Sequence, residues 1–338
     1  MSSELQATVE AMVRPGCGLL AADESTPTIA KRFKAVGVES TEASRRAYRS
    51  LLLATPGLGE HISGVILFEE TLGQKADDGT PLAQVAAGQG IVPGIKVDAG
   101  KIALAHAPGD EITQGLDGLA KRFEVYKAQG ARFAKWRAVY NVSATLPGWL
   151  AMQANADSLA RYAAICQEQG IVPIVEPEVL MDGDNDIARC AQVTEAVLGE
   201  VFHALRRHAV VLEQMVLKPN MVVPGKGSAQ RATPAQVAQA TLTVLRRCVP
   251  AAVPGIFFLS GGQTPQEATA NLDAINRRGA QPWVLSFSYG RALQETVLEA
   301  WQGKAGNVGA AQAALAKRAR LNGAACLGRY EAAMESAA

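Results

Sequence analysis

Eight short apolar runs punctuate the chain: CGLLAADES, GVILFEET, IVPGIKVD, FAKWRAVY, IVPIVEPE, MVLKPN, GIFFLSGG and WVLSFSYG. Each ends in polar or charged residues. Between them lie longer stretches such as TEASRRAYRSLLLA, GLDGLAKRFEVYKAQG, DIARCAQVTEAVLGEVFHALRRH and TPAQVAQATLTVLRRC. There, apolar positions recur at intervals of three and four, the period of a helix with one buried face. Thr233 with Pro234, and Thr264 with Pro265, read as an N-cap followed by proline in the first turn. The runs themselves are apolar on both faces, as strands covered by helices on both sides are. Eight such strands alternating with helices predict an α/β fold of the (β/α)8, or TIM, barrel type. The structural alternative, an open doubly wound sheet, normally carries a GxGxxG turn after its first strand, and here that turn is AADEST.

No repeat, low-complexity tract or linker divides the chain, so a single domain is expected over residues 1–338. The barrel core would run from about 16 to 302, and residues 303–338 would supply a C-terminal helix and a short frayed tail. The longest irregular connections are TLGQKADDGTPLAQ and PNMVVPGKGSAQRATP, the second of them either a mobile active-site loop or a floppy surface loop.

Composition narrows the function. Lysine and arginine number 33 against 32 aspartates and glutamates, a formal charge of +1, which gives no electrostatic reason to expect nucleic acid or an anionic membrane as partner. Hydrophobic residues make up 48%, enough for a large core, yet no run reaches the roughly 18 apolar residues of a membrane span. The N-terminal MSSELQATVEAMVRPGCGLL has no basic start before an apolar core, and its two acidic residues argue against a transit peptide. Five scattered cysteines without a CxxC pair fit reduced thiols in a cytoplasmic protein. Of four histidines, His203 and His208 are five apart and would point in different directions on a helix. Neither a metal nor another cofactor is expected.

A barrel gathers its chemistry at the C-terminal ends of its strands. The residues ending the eight runs are Asp23, Glu69, Lys96, Lys135, Arg137, Glu176, Glu178, Lys218, Ser260 and Ser288. Lys218 stands out because it interrupts the apolar segment EQMVLKPNMVVP. Taking an amine out of water disfavours its charged form, and a neutral lysine condenses with carbonyls to form a Schiff base. Period-two alternation puts Lys135 and Arg137 on one strand face, and Glu176 and Glu178 likewise on theirs. Neighbouring strands then bring Lys135, Glu176 and Lys218 side by side. Two lysines compete for the nucleophile's role, and the more apolar flanks favour Lys218. Glu176 suits the acid that protonates a departing hydroxyl.

Phosphate sites follow from the last two runs. Ser260, Gly261 and Gly262, and then Ser288, Tyr289, Gly290 and Arg291, are glycine-bearing turns opening helices after the seventh and eighth strands, where barrels often hold phosphate. Ser25, Thr28, Lys31 and Arg32 form a second cluster of hydroxyls and cations, able with Lys96 to hold another phosphate across the barrel mouth.

Taken together, LLAADEST, GVILFEETLGQKADDG, GIKVD, TQGLDGL, FAKWR, IVPIVEPE, LKPNMV, FLSGGQ and FSYGRALQ resemble class I fructose-bisphosphate aldolase, in that family's order and spacing, from about residue 18 to 301. The resemblance implies reversible, metal-independent cleavage of fructose 1,6-bisphosphate to dihydroxyacetone phosphate and glyceraldehyde 3-phosphate by a cytoplasmic homotetramer. It implies that Lys218 forms the Schiff base, that Glu176, Lys135, Asp23 and Glu178 are catalytic, and that Lys96 and Arg137 line the substrate site. Phosphate contacts carry over to Ser25, Thr28, Arg32, Ser260, Gly261, Gly262, Ser288, Gly290 and Arg291. Three departures are visible, the first being Pro27 and Thr28 where the animal turn has a small Gly-Ser. No tyrosine follows Tyr330, whereas animal members end in a tyrosine-bearing flexible tail, and Glu69 and Glu70 stand in FEET where animal members have FHET. Two readings stay open beside the main one: a Schiff-base aldolase preferring fructose 1-phosphate or sedoheptulose 1,7-bisphosphate, and a non-catalytic scaffold binding sugar phosphates or proteins.

Overall fold

The computed structural model describes residues 3–336. At its centre is a closed parallel barrel of β1 (Gly18–Ala22), β2 (Ile62–Leu67), β3 (Val92–Lys96), β6 (Phe133–Tyr140), β7 (Val172–Val179), β8 (Val216–Leu217), β9 (Gly255–Phe258) and β10 (Val284–Tyr289). The ring closes where β10 pairs with β1, Leu19 opposite Ser288. All eight apolar runs are therefore barrel strands, and the open-sheet alternative is excluded. The sequence pattern did not indicate β4 (Lys101–Ala103) and β5 (Glu111–Thr113), an antiparallel hairpin in the connection from β3 to β6. Its first strand is exposed throughout and has no apolar alternation to reveal it.

Alternation along the strands sorts the side chains into two layers. Leu19, Ala21, Phe133, Val172, Ile174, Val216 and Phe257 pack inside the barrel. Their neighbours Leu20, Ala22, Ala134, Trp136, Val175, Leu217 and Phe258 belong to the larger core shared with the surrounding helices. The helix Ser3–Met12 plugs the N-terminal end of the barrel with Leu5, Val9 and Met12, so the core begins earlier than residue 16. Space inside is tight enough to require Gly94, since a Cβ there would lie 2.3 Å from the Phe133 ring. Continuing the interior parity two residues at a time from Ala21, Phe133, Ile174 and Val216 leads to Asp23, Lys135, Glu176 and Lys218. The pleat alone thus aims four of the expected site residues into the barrel mouth.

Both expected helix starts hold. Thr233 and Thr264 form reciprocal capping boxes with Gln236 and Glu267. Two expectations change. The tail is not frayed through Glu335. Arg318, buried in the C-terminal helix Val308–Cys326, donates to both Glu335 oxygens at 2.6 and 2.7 Å, and Tyr330 is held by Asp273 and Arg277. Nor is the connection after β8 a floppy loop. Met221, Val222 and Val223 are buried, and Gly225, Lys226 and Gly227 donate backbone bonds to Asn185, Met181 and Gly183.

Candidate active site

Lys218 is the residue immediately after β8, its N–H donating to Val175 O at 2.8 Å. Pro219 follows and has no N–H to extend the ladder, so the strand stops there. Asn220 ties the end of β7 by accepting the Val179 N–H at 3.0 Å. Lys218, Glu176 and Lys135 are each about 3% exposed. Glu176 lies between the two amines, with Oε1 3.1 Å from Lys218 Nζ and Oε2 3.3 Å from Lys135 Nζ. The second contact is an ion pair too poorly aligned to count as a hydrogen bond, which leaves Oε2 open to a proton. Lys135 Nζ also lies 2.7 Å from Asp23 Oδ2. Asp23, Lys135, Glu176 and Lys218 thus form one continuous polar chain.

The electrostatics fix two of these charges. Burial pushes the Asp23 carboxyl up, but Lys135, then Lys218 and Lys96, outweigh it and hold the group well below the usual carboxylate range. Burial likewise pushes the Lys135 amine down, and Asp23, Glu176 and Asp98 more than reverse this. Lys135 therefore stays a cation and Asp23 an anion. This separates the two candidate nucleophiles, since a lysine held protonated by two carboxylates is a poor one.

Arg137 and Lys96 lie at the same mouth, each with its own carboxylate. Arg137 Nε meets Glu178 Oε2 at 2.5 Å, while Lys96 Nζ meets Asp98 Oδ1 at 2.6 Å. Asp98 was missed in the sequence, although its place two residues after Lys96 puts it on the same face. Glu178 is buried and pairs with Arg137.

The expected phosphate residues form three turns side by side, after β9, β10 and β1, because β10 lies between the other two strands. Ser25 Oγ is 3.1 Å from Thr28 Oγ1, and the Arg32 guanidinium approaches Gly290, where a Cβ would lie 3.9 Å from its Nη2. Lys31 is exposed. Arg32 is paired with Glu24, which the sequence reading overlooked. Glu24 is on the outer parity, buried, and also bound by Arg49 Nη2 and Gln294 Nε2, both at 2.8 Å. Ser260 and Ser288 are buried, and Ser288 Oγ has no partner among the described residues. Gly261 and Gly262 have φ of +55° and +89°, the left-handed backbone that turns successive N–H groups outward.

Glu69 does not join the site. It opens the short helix Glu69–Gly73 on the outside of the barrel and accepts from Tyr126, while Glu70 pairs with Arg45. The interior parity of β2 reaches Phe68 instead.

The barrel mouth thus holds a buried lysine and a carboxylate that bridges it to a second lysine. The family model "Glycolytic: Fructose-bisphosphate aldolase class-I" matches residues 4–338. The chain belongs to the class I fructose-bisphosphate aldolase family. It is 54% identical to the probable fructose-bisphosphate aldolase class 1 of Xanthomonas campestris over 97% of this chain and 98% of that one. It is 55% identical to the fructose-bisphosphate aldolase of Drosophila melanogaster, over 98% of this chain and 92% of that one. The solved aldolase from Plasmodium falciparum, a complex with TRAP and a small-molecule inhibitor, superposes with a TM-score of 0.96 at 49% identity, covering 97% of this chain and 95% of that one. The aldolase described here is therefore an enzyme, a carbon–carbon lyase working through Schiff-base chemistry. No helix among its described residues is long and apolar enough to cross a membrane.

Proposed function

We propose that Lys218 is the Schiff-base amine in the reversible cleavage of fructose 1,6-bisphosphate to dihydroxyacetone phosphate and glyceraldehyde 3-phosphate. The observation that carries this is Glu176 at 3.1 Å from Lys218 and 3.3 Å from a Lys135 that remains charged. Lys218 gives a proton to Glu176 and attacks the C2 ketone. Glu176 then returns the proton to the carbinolamine hydroxyl, which leaves as water, and an iminium forms. Asp23, held as an anion, takes the C4 hydroxyl proton. The C3–C4 bond breaks, its electrons pass to the iminium nitrogen, and glyceraldehyde 3-phosphate departs. Protonation of the enamine at C3 and addition of water release dihydroxyacetone phosphate and restore Lys218.

Lys135 stabilises negative charge on Glu176 and Asp23 through both halves of the cycle. Glu178 fixes Arg137 and Asp98 fixes Lys96, so these two act as positioning residues. Ser25, Thr28 and Arg32 form one phosphate clamp, and Ser260, Gly261, Gly262, Ser288, Gly290 and Arg291 the other. The clamps convert binding energy into orientation of C2 over Lys218. Because β9 neighbours β8, the second clamp takes the phosphate ester next to the ketone.

The same reading makes the protein a single-domain, metal-independent, cytoplasmic homotetramer. It is supported by family membership and by similarity to cytosolic plant aldolases such as one from Arabidopsis thaliana, at 54% identity. Fructose 1,6-bisphosphate cleavage, coupled to detection of both trioses in the presence of a chelator, tests the reaction and its metal independence together. Activity abolished by the chelator and restored by a divalent metal would overturn the second.

A further inference from the structure

The connection after β8 carries a cation that the site described so far does not use. Residues 181–185, after β7, and residues 225–227, after β8, are clipped together by three backbone hydrogen bonds. Gly225 N donates to Asn185 O at 2.8 Å, Lys226 N to Met181 O at 2.7 Å and Gly227 N to Gly183 O at 2.9 Å. The fit is backbone on backbone, for a Cβ on Gly225 would lie 2.2 Å from Gly183 O. This clip fixes the stem of Lys226 and points it across β8 toward the turn after β9. A Cβ built on Gly262 would lie 2.8 Å from Lys226 Nζ and 3.1 Å from Arg291 Nη2. Two cations from different loops therefore converge on one glycine.

Three observations make this a place for an anion. Arg291 has no ion-pair partner among the described residues. Among the described residues the only carboxylate on Lys226 is Asp182, at 2.8 Å with 67% of its side chain exposed. Two like charges brought together with so little compensation repel each other unless an anion lies between them. Below them, the N–H groups of Gly261 and Gly262 donate to no acceptor among the described residues, and both glycines have positive φ. Ser288 Oγ, on the interior parity of the neighbouring strand, is buried without a partner.

We propose that Lys226 is a phosphate-binding residue, holding the phosphate ester next to the ketone together with Arg291 and the backbone N–H groups of Gly261 and Gly262. Asp182 keeps the ammonium in place while the clamp is empty and competes weakly for it once a dianion arrives. The inference rests on the reading of Lys218 and the two clamps given above.

Steady-state kinetics of Lys226→Met and Lys226→Arg test it, with inorganic phosphate as a competitive inhibitor. A charge-assisted bond at a partly exposed cation predicts about a 5- to 10-fold rise in KM for fructose 1,6-bisphosphate in Lys226→Met, carried by KM rather than kcat. The Ki of phosphate should rise by a similar factor, and Lys226→Arg should recover most of both. Fructose 1-phosphate, which keeps only the phosphate beside the ketone, should show the same rise. Unchanged KM and Ki in Lys226→Met, or a rise for the bisphosphate that fructose 1-phosphate does not share, would overturn the assignment. Either result in an enzyme whose wild type still forms the Schiff base at Lys218 leaves the catalytic reading intact. Wild type that does not trap substrate at Lys218 defeats that reading instead.

Discussion

Glu176 Oε1 lies 3.1 Å from Lys218 Nζ inside the barrel mouth, with both side chains almost completely buried. The contact joins β7 to the residue that follows β8, and in the mechanism proposed above Glu176 takes a proton from the amine and returns it to a carbinolamine hydroxyl. Replacing Glu176 with Gln keeps the shape and removes the proton carrier. It should lower kcat by about 10²- to 10⁴-fold with a much smaller change in KM. Stopped-flow measurement of iminium formation should locate the loss at dehydration; an unchanged kcat would exclude Glu176 from proton transfer.

Asp23→Asn separates Schiff-base formation from bond cleavage. The variant should still trap a ketose phosphate on borohydride addition but should not release glyceraldehyde 3-phosphate at a measurable fraction of the wild-type rate. Loss of trapping together with cleavage would mean that Asp23 serves the earlier step.

The depressed Asp23 carboxyl also has a stability signature. Its pKa in the folded protein lies below its unfolded value of about 3.9, so its stabilising contribution is complete above that pH and is lost as pH falls toward the folded value. The melting-temperature difference between wild type and Asp23→Asn should stay flat from about pH 5 to 9. Below about pH 4 wild type should lose stability relative to the variant. A difference that changed mainly above neutrality would contradict the pairing with Lys135.

Much of the site was legible because a barrel converts sequence parity into position. Lys135 and Glu176 follow apolar interior residues at spacing two, and Lys218 breaks an otherwise apolar run. What escaped was whatever depended on partners distant in sequence. Glu24 has the wrong parity for the interior, and its role emerges only when Arg49 and Gln294 arrive from other helices. Lys226 sits in a Gly-rich stretch with no periodicity, and its position comes from a backbone clip to residues 181–185. Glu69 failed for the opposite reason: a charged strand end looked like a site residue, but one step of parity turned it outward.

The ordered tail gives a fold prediction. Glu335→Ala leaves the buried Arg318, among the described residues, with its side-chain bonds to Pro265 O and Thr269 Oγ1, and should cost about 2 kcal/mol, discounted from a fully buried pair because Glu335 is partly exposed. Urea unfolding monitored by circular dichroism reads this as a lower midpoint. A midpoint equal to wild type would return the tail to the frayed end that its composition suggests.

Inside the barrel, Gly94→Ala should destabilise by about 1–3 kcal/mol, since the added methyl meets the Phe133 ring. The companion change Phe133→Leu in the same chain should recover part of the loss. An additive double variant would show that the two positions do not share that space.

Borohydride reduction of the enzyme with dihydroxyacetone phosphate, followed by peptide mass spectrometry, tests the central assignment most directly. The account predicts one reduced adduct, on Lys218, abolished in Lys218→Ala. An adduct on Lys135 or any other lysine, or one that persists in Lys218→Ala, would contradict it.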